Sequence, residues 1–509
     1  MKLKKIFYSL GLCGALLLCL GQTGHAQVLS KFQNKVTKFT LKNGLTFIVI
    51  RRPVAPVVSM VTFANVGSVN EPQGHTGLAH VFEHMAFKGT HDIGTKNWKK
   101  EKPVLRKEDQ TYRKWLHEKY SVNPDSAKLK QLWQKFKKLQ KKEHSFVINN
   151  QFSRIVQRNG GTGLNAETTA DHTEFFYNLP ENRLKLWFSL ESDRFKHPVF
   201  REFYKEKKAI MEERRMRTES SPSGRLVADF QEMAYKAFPY HHPTIGWKSD
   251  IRATTMKDAR KFFNTYYIPN NLTMAIAGDV KASQVKKLAK KYFGDMPSAP
   301  KPPPVYTKEP KQKTTRKFTI KGQSQPLLLM GYHTVAKSNP DFNAFQLLST
   351  ILSGGRTSIL YKKMVQKNQS ALQVQTINGF PGTEYPSMFL IFGVPNHGIS
   401  VDSLQHSILH EIQKIKNGSI TKEALNRAKT KARANLIRSL NSNQGLAMRL
   451  AQAQAQQGNW RKVFTNIKKL ENVTLPDLQR VAKKYFNKDN LTIGKLVHQS
   501  SADSSDTSQ

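Results

Sequence analysis

The run Gly77-Leu78-Ala79-His80-Val81-Phe82-Glu83-His84-Met85 places two imidazoles and a carboxylate in apolar surroundings. His80 and His84 are four residues apart, so on a helix their rings share one face, about 40° apart. Two imidazoles so placed can share one zinc ion at about 2.0–2.1 Å. Glu83 falls beside His84 and three residues after His80. It can take a proton from water at the metal without being a ligand, the general-base arrangement of metal-assisted hydrolysis. Leu78, Ala79, Val81, Phe82, Met85 and Phe87 predict a buried helix over about 77–87. Two histidines and a glutamate are costly to bury unless paired or metal-bound. The plainer alternative is a pair of satisfied core histidines.

A catalytic zinc takes three protein ligands and keeps one position open. A second stretch, Glu206-Lys207-Lys208-Ala209-Ile210-Met211-Glu212-Glu213-Arg214-Arg215, supplies candidates. Glu206 and Glu213 are seven apart, two turns, on one helix face, and Glu212 points about 100° away. Charged, solvated helices often carry such pairs, so the spacing alone leaves the third ligand open.

His80-x-x-Glu83-His84 resembles the inverted motif of the pitrilysin- and insulinase-like zinc peptidases, the inverzincins, which include mitochondrial processing peptidase. The likeness runs on through Ala86-Phe87-Lys88-Gly89-Thr90, Asn165-Ala166-Glu167-Thr168, Asp171-x-Thr173, Glu206-x6-Glu213-Arg214-Arg215 and Tyr267-x-Pro269-Asn270-Asn271-Leu272. The resemblance implies one Zn2+ per chain, with His80, His84 and Glu213 as ligands and Glu83 as base. It implies Glu206 as an acid behind the ligands that orients them. It also implies that a strand at Asn165 and Ala166 lends its edge to an extended peptide substrate. The implied fold is α+β, two homologous α/β rolls facing each other around a cleft.

One departure matters. Active members of the family often carry an Arg and a Tyr seven residues apart in the second half, and here Val365 and Leu372 fall at those places. Gln346, Ser349 and Thr350 stand where the first half has His80, Glu83 and His84, so the second half binds no zinc there. Some relatives work with a related, metal-free companion chain. The expectation is a zinc-dependent endopeptidase acting on peptides or unfolded segments, paired with such a companion or as a homodimer. The alternative is a weak member serving as a peptide-binding or scaffold subunit.

The elements that must position these residues repeat. Thr255, Asp258, Tyr266 and Asn271-Leu272-Thr273 have counterparts at Thr474, Asp477, Tyr485 and Asn490-Leu491-Thr492, every pair 219 residues apart. Each copy reads as a capped helix followed by a buried strand. The chain is therefore two related halves, predicted at 28–296 and 314–497, the second non-catalytic. They are joined by a Pro- and Lys-rich linker at 297–313. The glycines that end the motif helix and its second-half counterpart, Gly89 and Gly355, are 266 apart, so the first half holds an insert of about 47 residues. The lysine-rich stretch 96–157 is that insert, and Leu129, Leu132, Phe136 and Leu139 predict one arm of a helical hairpin. Asn43-Gly44 predicts a β-hairpin turn.

Composition sets the compartment. Lys2, Lys4 and Lys5 precede an apolar run over 6–20 and a small-residue site at Gly24-His25-Ala26. This pattern predicts a signal peptide over 1–26 cleaved after Ala26, and a periplasmic or secreted protein. Both cysteines, Cys13 and Cys19, fall inside it. The 509 residues carry 81 Lys and Arg against 37 Asp and Glu, a net charge of +44, which loss of the leader's three lysines lowers to +41. An exported protein meets no nucleic acid, so the charge suits acidic partners or an anionic membrane surface. A polar tail is expected over 498–509.

Overall fold

The computed structural model describes residues 35–498, so the expected leader, both cysteines and residues 499–509 lie outside it. The chain adopts the expected α+β architecture of two related halves. The first half holds a six-stranded sheet of β1 (Val36–Thr40), β2 (Thr46–Arg51), β3 (Val57–Ala64), β4 (Thr162–Thr168), β5 (Thr173–Pro180) and β6 (Leu272–Gly278), in the order β1-β2-β6-β3-β5-β4. The second half holds β7 (Arg316–Gly322), β8 (Leu327–His333), β9 (Ala371–Phe380), β10 (Met388–Pro395) and β11 (Leu491–His498), in the order β7-β11-β8-β10-β9. Apart from β1 the two orders coincide. In each, one parallel pair, β2 with β6 or β7 with β11, opens an otherwise antiparallel array. β11 runs through His498, one residue past the expected end of the half.

The repeat is chemical as well as topological. Thr255 and Thr474 each accept at a helix start from the N–H of Asp258 or Asp477, and each aspartate carboxylate accepts from the threonine N–H in return. Asn271 Nδ2 donates to the carbonyls of Tyr266 and Asn65, and Asn490 Nδ2 to those of Tyr485 and His333.

The halves cover each other. The first-half helix Pro222–Ala234 packs Leu226, Phe230 and Ala234 against Leu327, Leu329, Met388 and Leu496 of the second sheet. The second-half helix Asn443–Gln457 packs Leu446, Ala447, Leu450 and Ala451 against Ile48, Val61, Phe63, Ala275 and Ala277 of the first. Ser221 and Ser442 cap these two helices through Gly224 and Gly445. Each sheet is thus buried on both faces, and β3, β6 and β8 are accordingly buried at nearly every position rather than at alternate ones. Across the same interface, buried Asp171 accepts from Tyr240 Oη and from the backbone N–H groups of Thr383 and Glu384.

Residues 297–313 have no regular structure but are anchored. Glu309 accepts from the N–H groups of Lys236, Ala237 and Phe238, and Gln312 donates to Leu491 O. Within 96–157, helices Trp98–Lys119 and Ser126–His144 form an antiparallel hairpin seamed by Tyr112, Trp115, Trp133 and Phe136. The Asn43-Gly44 turn joins β1 to β2 with Gly44 at φ +94°. Among the described residues no helix is long and apolar enough to cross a membrane.

Candidate metal centre

The helix Leu78–Met85 buries Leu78, Ala79, Val81, Phe82 and Met85 in the first-half core. Its first turn is fixed from outside. Glu71, fully buried, accepts from Gly77 N through Oε2 and from Ala79 N through Oε1, both at 2.7 Å. That satisfies two orphan donors and sets a carboxylate at the positive end of the helix. Gly77 holds φ +91°, and a Cβ there would stand 2.7 Å from Ile245 O. Glycine is the residue that fits.

The second helix, Phe203–Arg214, packs across the first and presents Glu206 and Glu213 to it. Glu213 Oε2 lies 3.7 Å from His80 Nε2 and 3.5 Å from His84 Nε2. One donor atom from each of these three residues lies within 4.8 Å of the others. Tetrahedral ligands at zinc distances stand roughly 3.3 Å apart, so the donor set fits one such ion with small movements. The rings of His80 and His84 are 4.8 Å apart and nearly perpendicular, which lets both Nε2 atoms face one point.

Electrostatics favour the ligating form of His80 and, in the metal-free site, the protonated form of His84. Burial, with the neighbouring His84 and Arg217 charges, pushes His80 down to about 3, so it is a neutral imidazole at neutral pH. His80 Nδ1 is buried without a hydrogen-bond partner among the described residues. Burial opposes charge on His84, but the nearby Glu206, Glu213 and Glu83 carboxylates outweigh it and raise its pKa. Glu213 Oε1 is ion-paired with Arg217 Nη1 at 2.9 Å, which leaves Oε2 for the histidines. Glu206 bridges outward: Oε2 lies 3.6 Å from His84 Nδ1 and Oε1 2.5 Å from Lys88 Nζ. Lys88 also sits 3.7 Å from Glu202.

Glu83 lies off this donor set. Burial raises its pKa, the Thr168 hydroxyl on β4 opposes the rise, and the His84 and Glu213 charges pull in opposite directions. Glu212 is exposed and paired with Arg215 at 2.8 Å, away from the histidines. The structure therefore brings His80, His84, Glu213, Glu206 and Glu83 together and leaves Glu212 out.

Asn165 and Ala166 lie on β4, the last strand of the first sheet, opposite Phe176 and Phe175. Beyond β4 no described strand follows, so its outer edge is unpaired among the described residues. In the second half, Ser349 hydrogen-bonds Thr376 of β9. Thr350 turns its hydroxyl back to Gln346 O. Val365 lies in the turn of helix Tyr361–Lys367, and Leu372 on β9 is 53% exposed.

Sequence reasoning missed Glu71, Lys88 and Arg217. Arg217 is four residues after Glu213 on a helical path, a spacing that signals a pair. Lys88 lay inside the recognised motif without a role. Glu71 carries no local signal, because its partners are backbone amides that folding alone brings to it.

Two family models match the chain. The one described as "Insulinase (Peptidase family M16)" matches residues 46–131, and "Peptidase M16 inactive domain" matches 253–432. A "Zinc protease PqqE" from Helicobacter pylori is 30% identical over 489 residues, 94% of this chain and 95% of that one. A "Probable mitochondrial-processing peptidase subunit beta" from Arabidopsis thaliana is 20% identical over 93% of this chain and 80% of its own. The crystal structure of a protease from Helicobacter pylori superposes with a TM-score of 0.75 at 28% identity, over 91% of this chain and 99% of that one.

Proposed function

Since the chain belongs to the insulinase-like M16 family of zinc peptidases, we propose that it is a zinc-dependent endopeptidase that hydrolyses peptides or unfolded segments held in extended form. The observation that carries this reading is the convergence of His80, His84 and Glu213 donor atoms within 4.8 Å of one another beside Glu83. His80, His84 and Glu213 would hold one Zn2+, and the ion would supply Lewis-acid polarisation of the scissile carbonyl and of water. Glu83 takes the proton from the attacking water and returns it to the leaving amine. Its raised pKa suits both roles, since a base that is too weak an acid cannot give the proton back. Glu206, held by Lys88, keeps the His84 ring oriented.

The free edge of β4 supports the substrate mode. A peptide paired along Asn165 and Ala166 would run past Thr168, whose hydroxyl holds the Glu83 pKa down against burial. Backbone pairing of this kind holds any extended sequence, with side-chain pockets setting preference.

Val365 and Leu372 offer no cation or hydroxyl to a substrate carbonyl at those two places, which supports a companion, unless Arg356 or Tyr361 of the second half substitutes. We infer a related, metal-free partner chain, with a homodimer as the other arrangement. The same observation favours the second reading, a weakly active subunit that binds peptide. The leader over 1–26 supports a periplasmic or secreted location. Digestion of a peptide library by the mature chain, with and without chelator and with whatever co-purifies from the native host, tests the reading. Chelator-sensitive cleavage supports the peptidase. Zinc binding without cleavage, alone or with the co-purified chain, would favour the binding subunit.

A further inference from the structure

We propose that a cavity at the base of the helical hairpin binds a small molecule carrying two or more phosphate or sulfate groups. The cavity, about 510 Å³, lies between the helix Trp98–Lys119, residues 198–200 and the helix Met256–Tyr266. Its floor is apolar and buried: Leu105, Val199, Phe200 and Met256. Its walls carry five cations, Lys102, Arg106, Arg113, Lys257 and Arg260, against one acid, Asp109. That volume falls in the usual range of small-molecule sites, about 300–1,000 Å³, and leaves room for more than one anionic group.

The acid is already occupied. Asp109 Oδ1 accepts from Tyr204 Oη at 2.7 Å and from Met256 N at 3.1 Å, and Oδ2 accepts from Arg113 Nε at 2.9 Å. Among the described residues Lys102, Arg106 and Lys257 have no acidic partner. The Arg260 guanidinium rests over the Phe200 ring at 5.3 Å. The helix cannot supply balancing charge, because its acids Glu101, Glu108, Asp109 and Glu118 are all buried while Lys102, Arg106 and Lys107 are exposed. Glu101 is spent on buried Arg201. Unbalanced like charges around a concave, low-dielectric wall repel one another and focus a positive field. A polyanion relieves the repulsion, and guanidinium groups match its oxygens in pairs. Soluble phosphate esters and the head group of a diphosphorylated lipid share this chemistry. The inference stands apart from the zinc reading, since none of its residues belongs to the metal centre.

The test titrates the zinc-loaded mature chain calorimetrically with a bisphosphorylated glucosamine disaccharide. Flotation with vesicles that display the same head group forms a second arm. Saturable binding of the disaccharide is expected, weakened about tenfold or more by Arg106→Glu with Lys257→Glu. The exposed pair Lys286→Glu with Lys287→Glu, on another helix, should leave it unchanged. Both altered pairs are solvent-exposed, so circular dichroism should report an intact fold. Capture of the disaccharide alone assigns a soluble ligand, and vesicle flotation lost with the cavity pair assigns the lipid head group. Equal weakening by both pairs, or no saturable binding in either arm, would overturn the proposal.

Discussion

Lys88 Nζ lies 2.5 Å from Glu206 Oε1, while Glu206 Oε2 faces His84 Nδ1 at 3.6 Å. A lysine just beyond the motif helix thereby sets the orientation of an imidazole within it. Replacing Lys88 by Met should keep the stem's packing and release Glu206. Zinc affinity should fall about 10–100-fold, as for other outer partners of metal ligands. Competition with a fluorescent chelator measures it. Unchanged affinity would mean Lys88 only packs.

Glu83→Gln removes a base and no ligand. Hydrolysis should drop about 10²–10⁴-fold with zinc content unchanged. Metal analysis beside peptide turnover separates the two roles. Zinc loss from this variant would assign Glu83 to the metal instead.

The exchanged helices bind the halves into one folding unit. Leu450, fully buried in the second half's helix, packs on the first sheet, and Leu226 packs the other way. Leu450→Ala and Leu226→Ala should each cost about 2–5 kcal/mol. Calorimetry should show one cooperative transition moving as a whole. Two separating transitions would show that the halves unfold independently.

The paired capping boxes allow a like-for-like comparison. Thr255→Ala and Thr474→Ala should each lower stability by about 1 kcal/mol. Denaturant midpoints at unchanged slope measure this. A larger loss at one site would reveal tertiary work by that threonine beyond its cap.

Much of this was legible in the residues. Thr255 with Asp258 and Thr474 with Asp477 announced two helices 219 residues apart, and the structure forms both boxes. The hairpin arm around Phe136 followed from its three- and four-residue apolar spacing. The reciprocal covering was not legible. Nothing local in β3 or β8 says that Leu450 or Phe230, from the other half, covers the second face of its sheet. Glu71 escaped because a carboxylate in a loop gains its meaning only when Gly77 and Ala79 turn their amides toward it. At the metal centre, spacing left Glu212 and Glu213 both open, and packing of the two helices separates them: Glu213 faces both histidines, whereas Glu212 pairs outward with Arg215.

That separation gives the most direct measurement. Zinc per chain is determined for the mature protein and for Glu213→Gln and Glu212→Gln, with peptide hydrolysis read on the same samples. The expected result is about one zinc per chain in the parent and in Glu212→Gln, and an empty, inactive Glu213→Gln. Full zinc and full hydrolysis in Glu213→Gln, or hydrolysis in the parent that survives complete removal of metal, would contradict a metal centre built on His80, His84 and Glu213.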